Sequence, residues 1–310
     1  MHYTPAPMHI PDGFLNLLVS AFCWLITVAL DGIAISRTNK SLGERQVPLM
    51  GIMAAFIFAA QMINFPVAGG TSGHLLGGAL AAITLGPWAA MLVMTSVIAV
   101  QGLLFQDGGL TVMGANILNM GLLTCIVGYG LYRASMGRSR GVRLFTAGVA
   151  AWLSVMTGAL MTSLELWLSG TAKLNIVIPA MLGIHALIGL GEALITVAAL
   201  AFIFRTRPDL LSEGSPSGQG SRGWIVAGLL VALGVILLSP LASVNPDGLN
   251  RVAIDLGFMT TAHAGTGPLA GYHIGFLGSS ALSRIAAGAI GLLVVLGLAA
   301  LAGRALQKRS

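Results

Sequence analysis

The chain has 310 residues, of which 8% are charged and 56% apolar, whereas a soluble domain carries roughly 25% charged residues. Its apolar residues arrive in runs near the length that crosses a bilayer, so the sequence reads as a polytopic all-α membrane protein rather than a soluble enzyme or binding domain. A formal net charge of +6 would suggest nucleic acid in a soluble protein; here the placement of the cations carries the information instead.

In chain order, spans are predicted at Phe14 to Ser36, Pro48 to Asn64, Pro87 to Phe105, Met113 to Arg133, Leu144 to Leu168, Pro179 to Phe204, Trp224 to Leu238 and Leu282 to Leu301. Leu75 to Leu85 is short and glycine-rich, and Gly86-Pro87 separates it from the next run. Most lysines and arginines fall in four clusters: Arg37, Lys40, Arg45; Arg133, Arg138, Arg140, Arg143; Arg205, Arg207, Arg222; and Arg304, Lys308, Arg309. If basic loops stay in the cytoplasm, neighbouring clusters are separated by an even number of crossings. That parity requires the Leu75 to Leu85 segment to cross as a short helix. The expectation is therefore nine crossings, with the amino terminus outside and the carboxyl terminus inside. Cys23 and Cys125 lie within apolar runs and read as packing residues.

This topology puts all six histidines, His2, His9, His74, His185, His263 and His273, on the outer side. Two directly follow a methionine, at Met1-His2 and Met8-His9. When histidine is the second residue of a chain, the terminal amine, the deprotonated histidine amide and an imidazole nitrogen close two fused chelate rings in one plane. Three nitrogens so arranged, completed by a fourth, suit Ni(II) or Cu(II). His74, in a glycine-rich outer loop, is the candidate fourth donor.

Four motifs carry a resemblance. MHIPDGFLN (Met8 to Asn16), PVAGGTSGHLLGGALAAITLGPWAAMLVM (Pro66 to Met94), LLFQDGGLTVMGANILNMG (Leu103 to Gly121) and GIHALIGLGEALIT (Gly183 to Thr196) resemble the CbiM/NikM family. Its members are the substrate-capturing membrane subunits of cobalt and nickel energy-coupling factor transporters. The resemblance implies Ni(II) or Co(II) as transported substrate, no resident cofactor, a separate transmembrane coupling subunit, cytoplasmic ATPase subunits and a place in the cell membrane. Carried onto this chain, its ligands are Met8, His9 and His74, with Asp12, Asn116, Asn119, His185 and Glu192 as supporting residues. Asn116 and Asn119 share a helical face and could equally glue helices together. His185 and Glu192 also share a face, and a hydrogen-bonded network between them is expected. Gln106-Asp107-Gly108-Gly109 has the composition of a turn, and that role is preferred to ligation.

The seven-residue prefix MHYTPAP departs from the family pattern, because it makes the Met8 nitrogen a peptide nitrogen. It has neither a basic nor an apolar region of a signal peptide. Three explanations are open. Translation begins at Met8, which is the favoured reading; the prefix is clipped; or Met1 and His2 take over the chelating role.

Residues 1–205 form the expected metal-binding unit and 206–222, rich in Ser, Gly and Pro, a cytoplasmic linker. Residues 223–310 form an accessory unit in which SPLASVNPDGLNRVAIDLGF (Ser239 to Phe258) resembles the PDGLE domain, related to the CbiN/NikN accessory subunit; Asn250 stands where the signature has its closing acid. By analogy its outer loop helps to load metal. No GxxxxGK[ST] phosphate loop occurs in the sequence. Two rival readings exist: a secondary carrier or channel, which needs polar residues along a path through the bilayer, and an intramembrane hydrolase using Ser72 and His74, two positions apart in a glycine loop.

Overall fold

The computed structural model describes residues 8–41, 46–206, 223–263 and 267–307. Met1, His2 and nearly all of the expected linker lie outside the described residues. Helices dominate: α1 (Leu17–Ser41), α2 (Gln46–Gln61), α3 (Gly78–Leu85), α4 (Pro87–Val100), α5 (Met113–Asn116), α6 (Leu123–Arg133), α7 (Arg140–Leu168), α8 (Leu174–Thr206), α9 (Gly223–Leu238), α10 (Gly248–Leu256) and α11 (Ala281–Gln307). α4 runs on as a π-helical turn, Gln101–Phe105, and Ile117–Leu122, also π-helical, joins α5 to α6 in one rod. Among the described residues seven helices are long and apolar enough to cross a membrane, which makes this a multi-pass membrane protein.

Apolar side chains sort by neighbour. Leu17, Leu18, Phe22 and Leu25 of α1, with Val226, Leu230 and Leu237 of α9, are exposed. A bilayer covers such faces without cost. Met50, Ile57, Phe58, Leu80, Met91, Met94, Ile98 and Phe105 are fully enclosed and knit α2, α3 and α4 together.

The short segment before Gly86-Pro87 is indeed helical, but α3 has only eight residues and rises about 12 Å against a hydrocarbon core of about 30 Å. It is buried throughout, with Gly78 against Thr124 and Ala79 against Gly128. α3 thus starts beside the first half of α6, at Thr124 and Gly128. The chain reaches that depth as a buried extended stretch, Gly73 resting on Ile188 and the Leu76 and Gly77 amides one turn further along α8 at Glu192. That stretch begins in a small two-stranded antiparallel hairpin, β1 (Phe65–Val67) and β2 (Thr71–Gly73), in a fold that is otherwise helical as expected. An extended chain positions His74 inside the bundle without filling it with a helix.

Candidate metal centre

Met8 to Asp12 lie across the end of the bundle, held by residues a hundred positions away. Asn116 treats Ile10 as a strand would: its Oδ1 accepts from the Ile10 amide at 2.9 Å and its Nδ2 donates to the Ile10 carbonyl at 3.0 Å. Gly109 donates to the same carbonyl at 2.9 Å. The Asp12 carboxylate accepts the amides of Leu110 and Thr111 and the Thr111 hydroxyl. Side chains at 108 and 109 would prevent this approach, because a Cβ on Gly108 would meet His9 Cβ at 2.9 Å and one on Gly109 would meet Asp12 Oδ1 at 2.2 Å.

Asp107 belongs to the segment for which the sequence reading preferred a turn to ligation. It does turn the chain, its amide bonded to the Gln101 carbonyl, but it is 3% exposed and gathers the candidate ligands. Its Oδ1 lies 2.6 Å from the Met8 nitrogen and 3.4 Å from the His9 nitrogen, and its carbonyl oxygen 2.9 Å from His9 Nδ1. These are the three nitrogens of the fused chelate, since only Nδ1 can close a small ring with its own amide. They converge on one residue.

His74 stands opposite, 7% exposed, its ring centre 5.6 Å from that of His9. Its Nδ1 faces the Leu75 carbonyl at 3.0 Å, so donation there leaves Nε2 with its lone pair, the state that ligates a metal. Burial, and then the neighbouring His9, pull its pKa down to about 4, which keeps the imidazole neutral. His9 Nε2 is buried and makes no hydrogen bond among the described residues. The two rings border a cavity of about 60 Å³ lined also by Asn116, Asn119, His185 and Asp247. At about 30 Å³ per water, that is room for about two waters or for one small ion.

The other expected supporting residues have separate jobs. Glu192, fully buried, accepts the Leu76 and Gly77 amides at 2.6 and 2.9 Å and so anchors the His74 loop. His185 turns Nδ1 to the Met181 carbonyl at 2.8 Å. The expected His185–Glu192 network is therefore corrected: two helical turns separate them, and backbone groups occupy both. Asn119 Nδ2 donates to Glu165 Oε2 at 2.7 Å and to Thr162. Cys23 reaches the same carboxylate from the other side, and both cysteines are buried and free.

The accessory unit forms the roof. Asn245 and Pro246 run beside Ser72, whose amide donates to the Pro246 carbonyl at 2.9 Å and whose hydroxyl donates to the Asn245 carbonyl at 2.8 Å. That bond turns the Ser72 hydroxyl to a backbone group, against its use as a nucleophile. Asp247 caps α10 through the Asn250 amide at 2.8 Å while its side chain borders the cavity. Tyr272 donates to Asp107 Oδ2 at 2.6 Å, and its ring stacks on Phe105 with centres 4.8 Å apart. His263 meets the Asp12 carbonyl through its backbone amide, and His273 does not border the cavity. Sequence reasoning missed Asp107, Asp247 and Tyr272; the first two stood inside the quoted motifs, and nothing singled out Tyr272.

Residues 9–210 match the family described as cobalt uptake substrate-specific transmembrane region, and residues 222–308 match the PDGLE domain. A putative fused nickel transport protein NikMN of Archaeoglobus fulgidus is 39% identical over 76% of this chain and 76% of its own. The fused nickel transport protein NikMN of Rhodobacter capsulatus is 28% identical, covering 98% of this chain and all of its own. A crystal structure of a truncated transition metal transporter superposes with a TM-score of 0.58 at 34% identity, covering 64% of this chain and 99% of that one.

Proposed function

Since the chain belongs to the family of cobalt uptake substrate-specific transmembrane regions and carries a PDGLE unit, we propose that it captures Ni(II) or Co(II) at the outer face of the membrane as the substrate-specific component of an ATP-driven energy-coupling factor transporter. The observation that carries this reading is the convergence of the Met8 nitrogen and the His9 nitrogen and Nδ1 on Asp107, with the His74 ring 5.6 Å from that of His9. Imidazole binds such ions at about 2.0–2.1 Å, within reach of both rings around one cation. Capture deprotonates the His9 amide and releases protons. His9 Nδ1 then exchanges the Asp107 carbonyl for the metal.

In this reading the amino terminus lies outside and the basic loops inside. A transmembrane coupling subunit and cytoplasmic ATPase subunits supply the energy for release, and the chain itself catalyses no covalent reaction. The donor set, nitrogen throughout, leans to nickel. The test is a titration of purified full-length protein with Ni(II) and with Co(II). One ion binds per chain, and His74→Ala abolishes binding; a chain that binds neither ion, or binds equally without His74, defeats the proposal. Metal flux through the chain reconstituted alone in vesicles would make it a carrier instead.

A further inference from the structure

The Met8 and His9 backbone nitrogens are held by one oxygen of the Asp107 carboxylate, and the other oxygen is bonded by the accessory unit. Asp107 spends Oδ1 on the Met8 nitrogen and Oδ2 on the Tyr272 hydroxyl, each at 2.6 Å. Tyr272 is 5% exposed and far from Asp107 in sequence. Its backbone sits at φ +62, a conformation that a bulky residue adopts only where its surroundings impose it. Those surroundings are specific: the ring stacks on Phe105, and the Leu269 amide just before it donates to the Leu104 carbonyl at 3.1 Å. Residues 267–272 thus grip the π-helical turn that leads into Asp107.

We infer that Tyr272 is a positioning residue for metal capture, its hydroxyl fixing the Asp107 carboxylate so that Oδ1 faces the Met8-His9 backbone. A carboxylate free to rotate about its side-chain bonds gathers the nitrogens only part of the time. Bonded at both oxygens, it holds them convergent before the ion arrives, and the accessory unit thereby sets the affinity of a site to which it contributes no ligand. The inference rests on the proposed capture of Ni(II) or Co(II) by Met8, His9 and His74.

Tyr272→Phe removes the hydroxyl and keeps the stacked ring. In full-length protein titrated with Ni(II) against a competing chelator, this variant binds about tenfold more weakly, the scale on which a metal site responds to loss of an outer hydrogen bond. Asp107→Ala weakens binding at least as much, and the double variant is no worse than Asp107→Ala, because one interaction cannot be lost twice. Metal-free Tyr272→Phe still unfolds cooperatively, at a melting temperature somewhat below wild type because the buried Asp107 carboxylate loses one donor. Unchanged or tighter Ni(II) binding by Tyr272→Phe overturns the inference, as do additive losses of affinity in the double variant, which would assign Tyr272 to packing. The two readings fail separately. If wild type binds Ni(II), His74→Ala does not and Tyr272→Phe matches wild type, only the role of Tyr272 falls. If His74→Ala binds as wild type does, the site itself is wrong.

Discussion

The Met8 nitrogen and Asp107 Oδ1 stand 2.6 Å apart, so the atom that the fused chelate needs as a terminal amine is already held at the site. A peptide nitrogen and an amine both donate to a carboxylate, but they differ as ligands. An amine binds metal through its lone pair after losing one ordinary proton; a peptide nitrogen after Pro7 must first give up an amide proton. A chain beginning at Met8 should therefore bind Ni(II) at least about tenfold more tightly than one keeping MHYTPAP, on the scale of losing one good ligand interaction. Competition titration of the two proteins, each verified by intact mass, decides it. Equal affinities would mean that the Met8 nitrogen is no ligand.

The histidines facing the cavity should separate by role. His74→Ala and His9→Ala should each lose stoichiometric Ni(II) binding; metal-free melting hardly changes in His74→Ala, whose ring bonds the carbonyl of its neighbour Leu75, and falls in His9→Ala, which loses a buried bond to the Asp107 carbonyl. His185→Ala should keep one bound ion per chain with an affinity change of less than about tenfold, since its Nδ1 serves the Met181 carbonyl and it acts from outside the ligand set. Loss of all binding in His185→Ala would add it to the ligands.

The membrane class was legible in the composition, and the motifs that carry the family resemblance anticipated that His9 and His74 would border one cavity. What escaped were relationships over long separations. Gln106-Asp107-Gly108-Gly109 has the composition of a turn and is one, so nothing local said that Asp107 would also meet Met8 and Tyr272. The spacing of His185 and Glu192 correctly put them on one face of α8, yet a shared face does not make a bond when backbone groups of other segments lie closer. The depth of the His74 loop was hidden for a similar reason: a buried extended stretch has no periodicity to read once its neighbours are all small or apolar.

Glu192 holds the His74 loop from below. Removing its carboxylate leaves the Leu76 and Gly77 amides buried without their acceptor, and each such orphan costs about 1–3 kcal/mol. Glu192→Ala should accordingly destabilise the metal-free protein by about 2–6 kcal/mol, and Glu192→Gln by less, because its amide oxygen still accepts. Thermal unfolding in detergent reads this directly. A wild-type melting temperature for Glu192→Ala would show that the loop holds itself.

Asp247 gives the accessory turn a pH dependence. Burial pushes its carboxyl up to about 8 from an ordinary 3.8, against the favourable Asn250 amide and with the charge of Asp107 adding to the rise. Between those two values the folded protein binds a proton that the unfolded chain has lost, so stability falls as pH rises from about 4 to 8. Asp247→Asn keeps the helix cap, since asparagine caps as well as aspartate, and removes the ionisation. It should be near neutral at pH about 5 and stabilising at pH about 8, by an amount on the order of a few kcal/mol. Melting curves of metal-free protein across that range test the sign; a variant less stable than wild type at the alkaline end would overturn it.

Gly248 packs the accessory unit closely against the histidine-bearing helix. A Cβ there would lie 2.7 Å from Ile188 Cδ1, 2.9 Å from His185 Cε1 and 3.1 Å from Ile184 Cγ2, so alanine pushes α10 away from α8. Overpacking of this kind costs about 1–3 kcal/mol, and the strain falls on the roof of the cavity because Asn245 to Asp247, which lie beside Ser72, immediately precede it. Gly248→Ala should leave the metal-binding unit folded, speed hydrogen exchange at the Ser72 amide, which is bonded to the Pro246 carbonyl, and quicken Ni(II) dissociation by several-fold. Exchange measured by mass spectrometry separates this from general destabilisation. If protection falls equally along α4 and α7, the substitution has loosened the whole bundle and the roof has no separate role.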